Sequence, residues 1–216
     1  MGAVNLTNLN KVLLAIKQAE QSASLMVVTK NRSINDVKEL IDLGLTNFGE
    51  NRVQEAKLKF YDSNVIDLNS IYLSLIGPLQ SNKVSLALKI FNSIQTIDRK
   101  KIIDEISNEA QTNKLIKTKE FFIQINIGLE TQKSGVEPNQ VGLLYDYALK
   151  KNIYIKGIMC IPPLDHDASV YFKQMKKIQK EINPDWLISM GMSGDYQQAL
   201  EYGSNIIRVG QLLYYE

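Results

Sequence analysis

Lys30 is the first residue whose position in the chain points to chemistry. It directly follows residues 25–29, Leu-Met-Val-Val-Thr, a run typical of a buried strand. A lysine at the end of such a strand is expected to be partly desolvated, and desolvation favours the neutral amine that acts as a nucleophile in Schiff-base chemistry. Alternatively, Lys30 extends its charged end into solvent while its aliphatic part packs on the protein. Position alone does not decide between the two.

Ser193 lies in a segment that could bind an anion. Residues 190–195 read Met-Gly-Met-Ser-Gly-Asp, and glycines allow a ligand to approach the backbone closely. We expect Ser193 to begin a helix, whose free N–H groups and dipole favour negative charge. The alternative is an ordinary serine N-cap with glycines that serve only the turn geometry.

Arg208 stands inside the apolar run 206–209 and is followed by Gly210 and Gln211. Burying an unpaired guanidinium is costly, so Arg208 must be directed at a polar partner. Gly210 permits close backbone approach beside it. The alternative is a structural salt bridge to an acid at a neighbouring strand end, such as Glu50. Together, the three segments would supply an amine, an anion-binding loop and a fixed cation.

Apolar, β-branched runs alternate with amphipathic stretches and predict the elements that position these residues. The predicted strands cover residues 25–29, 46–49, 71–76, 93–97, 121–127, 155–161, 186–190 and 206–209. The predicted helices cover residues 9–23, 34–43, 52–60, 81–91, 100–110, 138–151, 168–182 and 193–201. Such alternation indicates parallel βαβ units. Eight units in this length predict a single α/β domain over residues 1–216, a (β/α)8 TIM barrel with an additional N-terminal helix.

An open, doubly wound sheet is the alternative fold. That fold usually carries a glycine-rich phosphate loop after its first strand, whereas residues 29–32 here read Thr-Lys-Asn-Arg. The barrel is therefore favoured. Active sites of such barrels lie at the C-terminal strand ends, and phosphate commonly binds after strands seven and eight. Lys30 follows strand one, and Ser193 and Gly210 follow those two strands.

Composition excludes several classes of function. The 216 residues contain one cysteine and one histidine, which excludes an internal disulfide framework and metal sites rich in either residue. A Ser-His-Asp catalytic triad would have to use His166, the one histidine of the sequence. The net charge of +2 gives no electrostatic case for nucleic-acid binding. No signal-peptide pattern or long apolar run occurs, so we expect a soluble, cytoplasmic protein that does not enter a membrane.

Motifs over nearly the whole chain carry a family resemblance. They include Phe-Gly-Glu-Asn-Arg-Val-Gln-Glu at 48–55, Gly-Pro-Leu-Gln-Ser-Asn-Lys at 77–83, Lys-Ser-Gly at 133–135 and Gly-Met-Ser at 191–193. In these motifs the chain resembles the YggS/PROSC family of pyridoxal-phosphate homeostasis proteins. That family shares the barrel of the alanine racemase N-terminal domain. One departure is Gln211, because the family usually has Ser or Thr there, with a hydroxyl that can reach a phosphate.

The resemblance implies a site for pyridoxal 5′-phosphate (PLP) at the barrel mouth. Lys30 would hold the cofactor covalently as an internal aldimine, and Asn51 would lie beside its ring. Ser193 and the backbone after Arg208 would hold the phosphate. Arg208 itself would hydrogen-bond either the pyridine nitrogen or the phosphate. The implied cofactor-binding residues are Lys30, Asn51, Ser193, Arg208, Gly210 and Gln211.

The resemblance also implies a function in intracellular PLP homeostasis without substantial turnover. We expect a monomer that has PLP-dependent apoenzymes as transient partners. The alternative is a PLP-dependent amino-acid racemase, which needs a second acid or base opposite the lysine. In similar racemases, a tyrosine of an additional β-domain supplies that group. We expect no such domain here, because little sequence follows the eighth predicted strand. A Schiff-base aldolase would fit the phosphate-binding segments only with a phosphorylated substrate.

Overall fold

The barrel closes around eight parallel strands that follow one another in chain order. The computed structural model describes residues 4–112, 116–164 and 166–215, so residues 1–3, 113–115, 165 and 216 of the predicted domain lie outside the described residues. The last strand pairs with the first, with Leu25 opposite Ile207, and this pairing completes the barrel. The strands are β1 (Ser24–Val28), β2 (Asn47–Glu50), β3 (Tyr72–Leu75), β4 (Ser93–Ile97), β5 (Glu120–Ile125), β6 (Ile155–Cys160), β7 (Leu187–Ser189) and β8 (Ile206–Val209). The predicted (β/α)8 barrel is confirmed.

Eight α-helices in the described residues alternate with these strands. They are α1 (Leu6–Gln18), α2 (Ile34–Asp42), α3 (Val53–Ala56), α4 (Val84–Ile90), α5 (Lys100–Thr112), α6 (Val141–Lys150), α7 (Ala168–Ile182) and α8 (Tyr196–Glu201). A π-helical turn, Lys57–Tyr61, continues α3. Short 3-10 turns precede α4 and α6, and another, Gln211–Leu213, follows β8.

The additional N-terminal helix, α1, is present but begins and ends earlier than predicted. The Asn5 side chain accepts a hydrogen bond from the Asn8 N–H, and this cap starts the helix at Leu6. Ala19 is already extended, so the helix ends at Gln18, five residues before the predicted end. The Asn5 N–H donates to the carbonyl of Leu213, which attaches the start of the helix to the segment after β8.

Two separate apolar layers stabilise the barrel. Side chains on the outer faces of the strands pack against the helices in the main core. A smaller cluster fills the barrel interior and comprises Met26, Ile76, Phe122 and Ile206, with Val28 and Leu187 packed against it. Side chains alternate between the two faces of a strand. The alternation that turns Leu187 and Ile206 inward therefore also turns Ser189 and Arg208 inward.

Two classes of feature are absent from the described ranges. No helix there is long and apolar enough to cross a membrane. The same residues contain no group of three His, Cys, Asp or Glu side chains that could hold a metal ion.

Gly157 on β6 and Gly142 on α6 should respond oppositely to alanine. A Cβ on Gly157 would lie 2.2 Å from the Leu187 carbonyl oxygen and 2.5 Å from the Phe122 ring, so backbone must move. We expect Gly157→Ala to lower the free energy of unfolding by about 1–3 kcal/mol. A Cβ on Gly142 meets nothing within 4 Å, so Gly142→Ala should raise it by about 0.5–1 kcal/mol.

Urea denaturation followed by circular dichroism measures both changes. An unchanged unfolding free energy for Gly157→Ala would contradict the close spacing of β6 and β7.

Candidate functional site

Gly210 and the segment that carries Lys30 lie side by side at the C-terminal end of the barrel. The ladder between β1 and β8 pairs Val27 with Val209, and Gly210 is the next residue. A Cβ on Gly210 would lie 3.1 Å from the carbonyl oxygen and 3.2 Å from the Cβ of Val28. Glycine therefore allows the close packing of Gly210 against Val28. The contact brings the segment after β8 against Val28, two residues before Lys30.

Ser193 contacts the same region from the loop after β7. The Leu212 N–H donates to its Oγ over 3.5 Å, which joins the β7 loop to the turn after β8. Gly191 precedes it with a φ of +92°, and a Cβ there would lie 2.5 Å from the Ala199 Cβ. Only glycine satisfies both the left-handed backbone and the close packing. Ser193 and the segment at Gly210 thus form one edge of the barrel mouth.

The prediction that Ser193 begins a helix is wrong. Helix α8 begins at Tyr196, and Asp195 is its N-cap residue. The Met192 N–H donates to Asp195 Oδ1 over 2.6 Å, and the Asp195 N–H donates to the Met192 carbonyl over 3.2 Å. These bonds fold residues 192–195 into a turn ahead of the helix. An anion at Ser193 would therefore meet a hydroxyl and turn backbone, and a six-residue helix adds little dipole.

Lys30 is exposed, which corrects the expectation that it is partly desolvated. The strand β1 ends at Val28, so Lys30 lies two residues beyond it, on the rim of the barrel. A hydrogen bond nevertheless fixes the backbone on either side of Lys30. The Arg32 N–H donates to the Thr29 carbonyl over 3.0 Å, and Asn31 has a left-handed φ of 60°. Lys30 therefore lies in a tight turn. The left-handed conformation in this turn belongs to Asn31, and asparagine tolerates that conformation better than most residues.

Asn51 lies on the opposite side of the mouth from the β7 loop, directly after β2. Gly77 packs against it so closely that a Cβ there would lie 2.0 Å from the Asn51 carbonyl oxygen. A cavity of about 270 Å³ begins at Asn51 and extends to residues 124–126 and 132–134. Half-buried Asn51 therefore borders open space at the mouth.

Arg208 is buried inside the barrel and is bonded only to neutral groups. It is 3% exposed, and it donates from Nη1 to Ser189 Oγ over 2.8 Å and from Nη2 to the Cys160 carbonyl over 2.7 Å. The Ser189 hydroxyl in turn donates to Gln95 Oε1 over 2.7 Å. Burial lowers the pKa of the guanidinium. This chain of bonds crosses the barrel from β8 to β4 and fixes the direction of Arg208.

No carboxylate among the described residues pairs with Arg208. The sequence-based alternative, a salt bridge to Glu50, is wrong, because Glu50 pairs with Lys59 over 2.7 Å. Burial raises the pKa of Cys160 to about 12, so its thiol stays neutral beside the arginine. Asp195 acts on the cation only from beyond pairing distance. Among the described residues, the buried charge of Arg208 therefore has only neutral hydrogen-bond partners.

Sequence reasoning missed Ser189 and Gln95, the residues that orient Arg208. Both are fully or almost fully buried polar residues within strands. The available signal was the placement of Ser189, a polar residue in the otherwise apolar run 186–190. Their pairing could not be read from that pattern, since the two residues are 94 positions apart.

A closed parallel barrel with a lysine after its first strand and a small-residue loop after its seventh is the architecture of the alanine-racemase type. Residues 4–216 match the family model described as "Alanine racemase, N-terminal domain". An alanine racemase of Clostridium difficile 630 shares this fold, with a TM-score of 0.74 at 16% identity, over 58% of its chain.

More similar proteins narrow the family further. The pyridoxal phosphate homeostasis protein of Aquifex aeolicus (strain VF5) is 34% identical over 96% of both proteins. PipY of Synechococcus elongatus PCC7942, solved with PLP bound, matches with a TM-score of 0.78 at 26% identity and covers 95% of this chain and 99% of that one. The chain belongs to the family of pyridoxal phosphate homeostasis proteins, which confirms the resemblance seen in its sequence.

Removing the hydroxyl of Ser189 should destabilise the barrel interior. Ser189→Ala leaves Arg208 with one fewer acceptor and Gln95 Oε1 without its donor, both buried. We expect the free energy of unfolding to fall by about 1–3 kcal/mol. The exposed Ser24, on β1, provides the control, and Ser24→Ala should change it by less than about 0.5 kcal/mol.

Chemical denaturation compares the two variants with the parent chain. Equal stability of Ser189→Ala and Ser24→Ala would show that the bond chain through Ser189 contributes nothing.

Proposed function

We propose that this chain binds PLP at the barrel mouth, holds it covalently on Lys30 and takes part in its homeostasis without substantial turnover. The observation that carries the proposal is the buried Arg208, which has neutral partners and no paired carboxylate among the described residues. A desolvated cation attracts an anionic ligand strongly. Arg208 would donate to the phosphate or to the pyridine nitrogen of the cofactor.

The residues around the mouth fit such a ligand. Ser193 and the backbone of Gly210 and Gln211 would supply donors to the phosphate, and Gly210 has no side chain that could cover its own backbone N–H. Charge-assisted hydrogen bonds of this kind are among the stronger ones in proteins. Gln211 is exposed, so its side chain is not needed for these contacts. Asn51 would lie beside the ring, at the edge of the cavity that it borders.

Lys30 would supply the amine that makes the attachment covalent. When bound, the cofactor supplies an aldehyde, with which a primary amine bonds reversibly. Exposure keeps this amine accessible from the mouth, and its turn fixes the backbone that bears it. Selectivity for the phosphorylated form would then come from Ser193 and the segment at Gly210, because any accessible lysine can bond to an aldehyde weakly.

A binding protein is favoured over a racemase by the comparisons. The relative from Aquifex aeolicus, named a homeostasis protein, matches along 96% of both chains, whereas the racemase match covers 58% of that enzyme at 16% identity. Arg208 does not exchange protons near neutral pH, so it offers no second acid or base. As part of the proposal, residues 1–216 act as one monomeric domain that passes the cofactor to apoenzymes transiently.

Lys30→Ala should abolish covalent attachment. The parent chain, incubated with PLP, should show a visible band and yield a peptide modified at Lys30 after borohydride reduction. The variant should show neither, because its amine is gone. Lys57→Ala is the control, since Lys57 is a partly exposed lysine paired with Asp62 away from the turn, and it should behave as the parent.

A visible band of unchanged intensity in Lys30→Ala would contradict the assignment of the amine. Racemisation of L-alanine by the loaded parent chain at about 1 s⁻¹ or faster would instead favour the racemase alternative.

Ser193→Ala should weaken binding of PLP but not of unphosphorylated pyridoxal. The change removes one donor to the phosphate, so we expect about a tenfold weaker Kd for PLP, which corresponds to ~1.4 kcal/mol. Gly210→Glu should weaken it far more, because it puts a side chain and a like charge at the phosphate position. Spectroscopic titration of each variant with both vitamers measures this. Equal losses for the two vitamers would place the phosphate elsewhere.

A further inference from the structure

The turn that carries Lys30 is held by three charged side chains from the neighbouring β2–α3 segment. Lys59 Nζ donates to the Thr29 carbonyl and to Glu50 Oε1, each over 2.7 Å. The Thr29 hydroxyl donates to the same Glu50 oxygen over 2.7 Å. Thr29, directly before Lys30, is therefore fixed through both its side chain and its carbonyl.

The residue directly after Lys30 is fixed by the third side chain. The Asn31 N–H donates to Glu55 Oε1 over 2.7 Å, and Lys59 Nζ lies 3.3 Å from the same oxygen. Asn31 has the left-handed φ of 60°, a conformation that costs energy in most residues unless the surroundings enforce it. The carboxylate of Glu55 supplies that enforcement. We name Lys59, Glu50 and Glu55 the turn-holding triad.

Two members of the triad are deeply buried. The Glu50 side chain is 0% exposed and that of Lys59 is 8% exposed. Burial raises the pKa of Glu50, an effect that Lys59 opposes. Buried ion pairs are often no more stabilising than apolar side chains of the same shape, since desolvation offsets their attraction. Stability alone is therefore a weak reason for this pair.

The geometry of the π-helical turn also helps to determine the direction of the Lys59 side chain. It lies in the π-helical turn Lys57–Tyr61, which adds a residue relative to a continued α-helix. One added residue changes the direction of the following side chains by about 100°. π-turns of this kind are rare and often occur at functional sites. Here the turn coincides with the lysine that reaches Thr29, whereas Lys57 in the same turn pairs with Asp62.

We infer that the turn-holding triad positions the Lys30 amine for bonding to a carbonyl compound at the barrel mouth. The inference rests on the proposed function. No member of the triad reacts, and each acts through the backbone on either side of Lys30. Loss of the triad should let the turn relax, so that the ligand still binds through its phosphate but bonds to Lys30 less often. The affected quantity is the covalent fraction of bound PLP.

The test measures two quantities on purified chains loaded with PLP. The first is total bound phosphate after gel filtration, and the second is the fraction that borohydride fixes on Lys30. Lys59→Met keeps an unbranched side chain that is one atom shorter and removes its donor, and Glu55→Leu removes the acceptor for Asn31. We expect each to lower the ratio of covalent to non-covalent cofactor by about tenfold, equivalent to ~1.4 kcal/mol, with total binding reduced much less.

Two matched variants test the geometry. Glu55→Gln keeps an oxygen that accepts from the Asn31 N–H, so it should restore most of the covalent fraction. Lys57→Met changes the other lysine of the same π-turn and should match the parent chain. If Lys59→Met does not fold, the comparison of Glu55→Leu with Glu55→Gln decides, because the Glu55 side chain is 25% exposed and less buried than that of Lys59.

The inference is overturned if Glu55→Leu keeps the covalent fraction of the parent, or if Glu55→Gln loses as much as Glu55→Leu. It is also overturned if total and covalent binding fall in parallel, which indicates a general structural role. Lys30→Ala in the same assay separates the two proposals. Persistence of the fixed cofactor in Lys30→Ala refutes the proposed function, whereas its loss there with no effect of the triad variants refutes this inference alone.

Discussion

The pairing of β8 with β1 is the interaction on which the candidate site depends. It joins Met26 to Arg208 and Val27 to Val209, residues from opposite ends of the sequence. Until this ladder forms, the amine at Lys30 and the backbone at Gly210 belong to distant parts of the chain, and the loop between them is costly to close. The site therefore exists only in the closed barrel. Loss of the pairing between β1 and β8 would therefore also take the candidate site apart.

Two buried cations near the barrel mouth, Lys59 and Arg208, have partners of different charge. Lys59 meets a buried carboxylate, Glu50, in the layer between strands and helices. Arg208, in the barrel interior, meets a hydroxyl and a carbonyl. Charge is therefore neutralised by an ion pair at Lys59, whereas no carboxylate among the described residues pairs with Arg208 on the side of β7 and β8. Lys30, the proposed site of attachment, lies two residues beyond the adjoining strand, β1, so charge recognition and bonding would occupy neighbouring sectors of the same ring.

The sequence predicts the strands well because most of them are short runs rich in apolar and β-branched residues, and β4 and β8 have the predicted bounds. It predicts the contacts between elements less well. At the start of α8, the N-cap residue is Asp195 and not Ser193, because the Asp195 carboxylate closes the preceding turn. The partner of Arg208 depends on Gln95 and Ser189, on distant strands, and the π-turn at Lys59 has no recognisable pattern in the residues around it. Local composition specifies elements, and contacts across the barrel decide which polar groups meet.

Exposure of Lys30 has a kinetic consequence for any carbonyl compound bound there. An enzyme gains from enclosing its reacting groups, because exclusion of water strengthens electrostatic interactions and prevents hydrolysis of what it holds. Here Lys30 is exposed, so water and free amines would reach a bond formed by its amine. The residence time would then depend on the contacts made by the other end of the ligand. A site that held one end firmly and left the bond at the other end open to exchange would release the ligand readily to an acceptor amine.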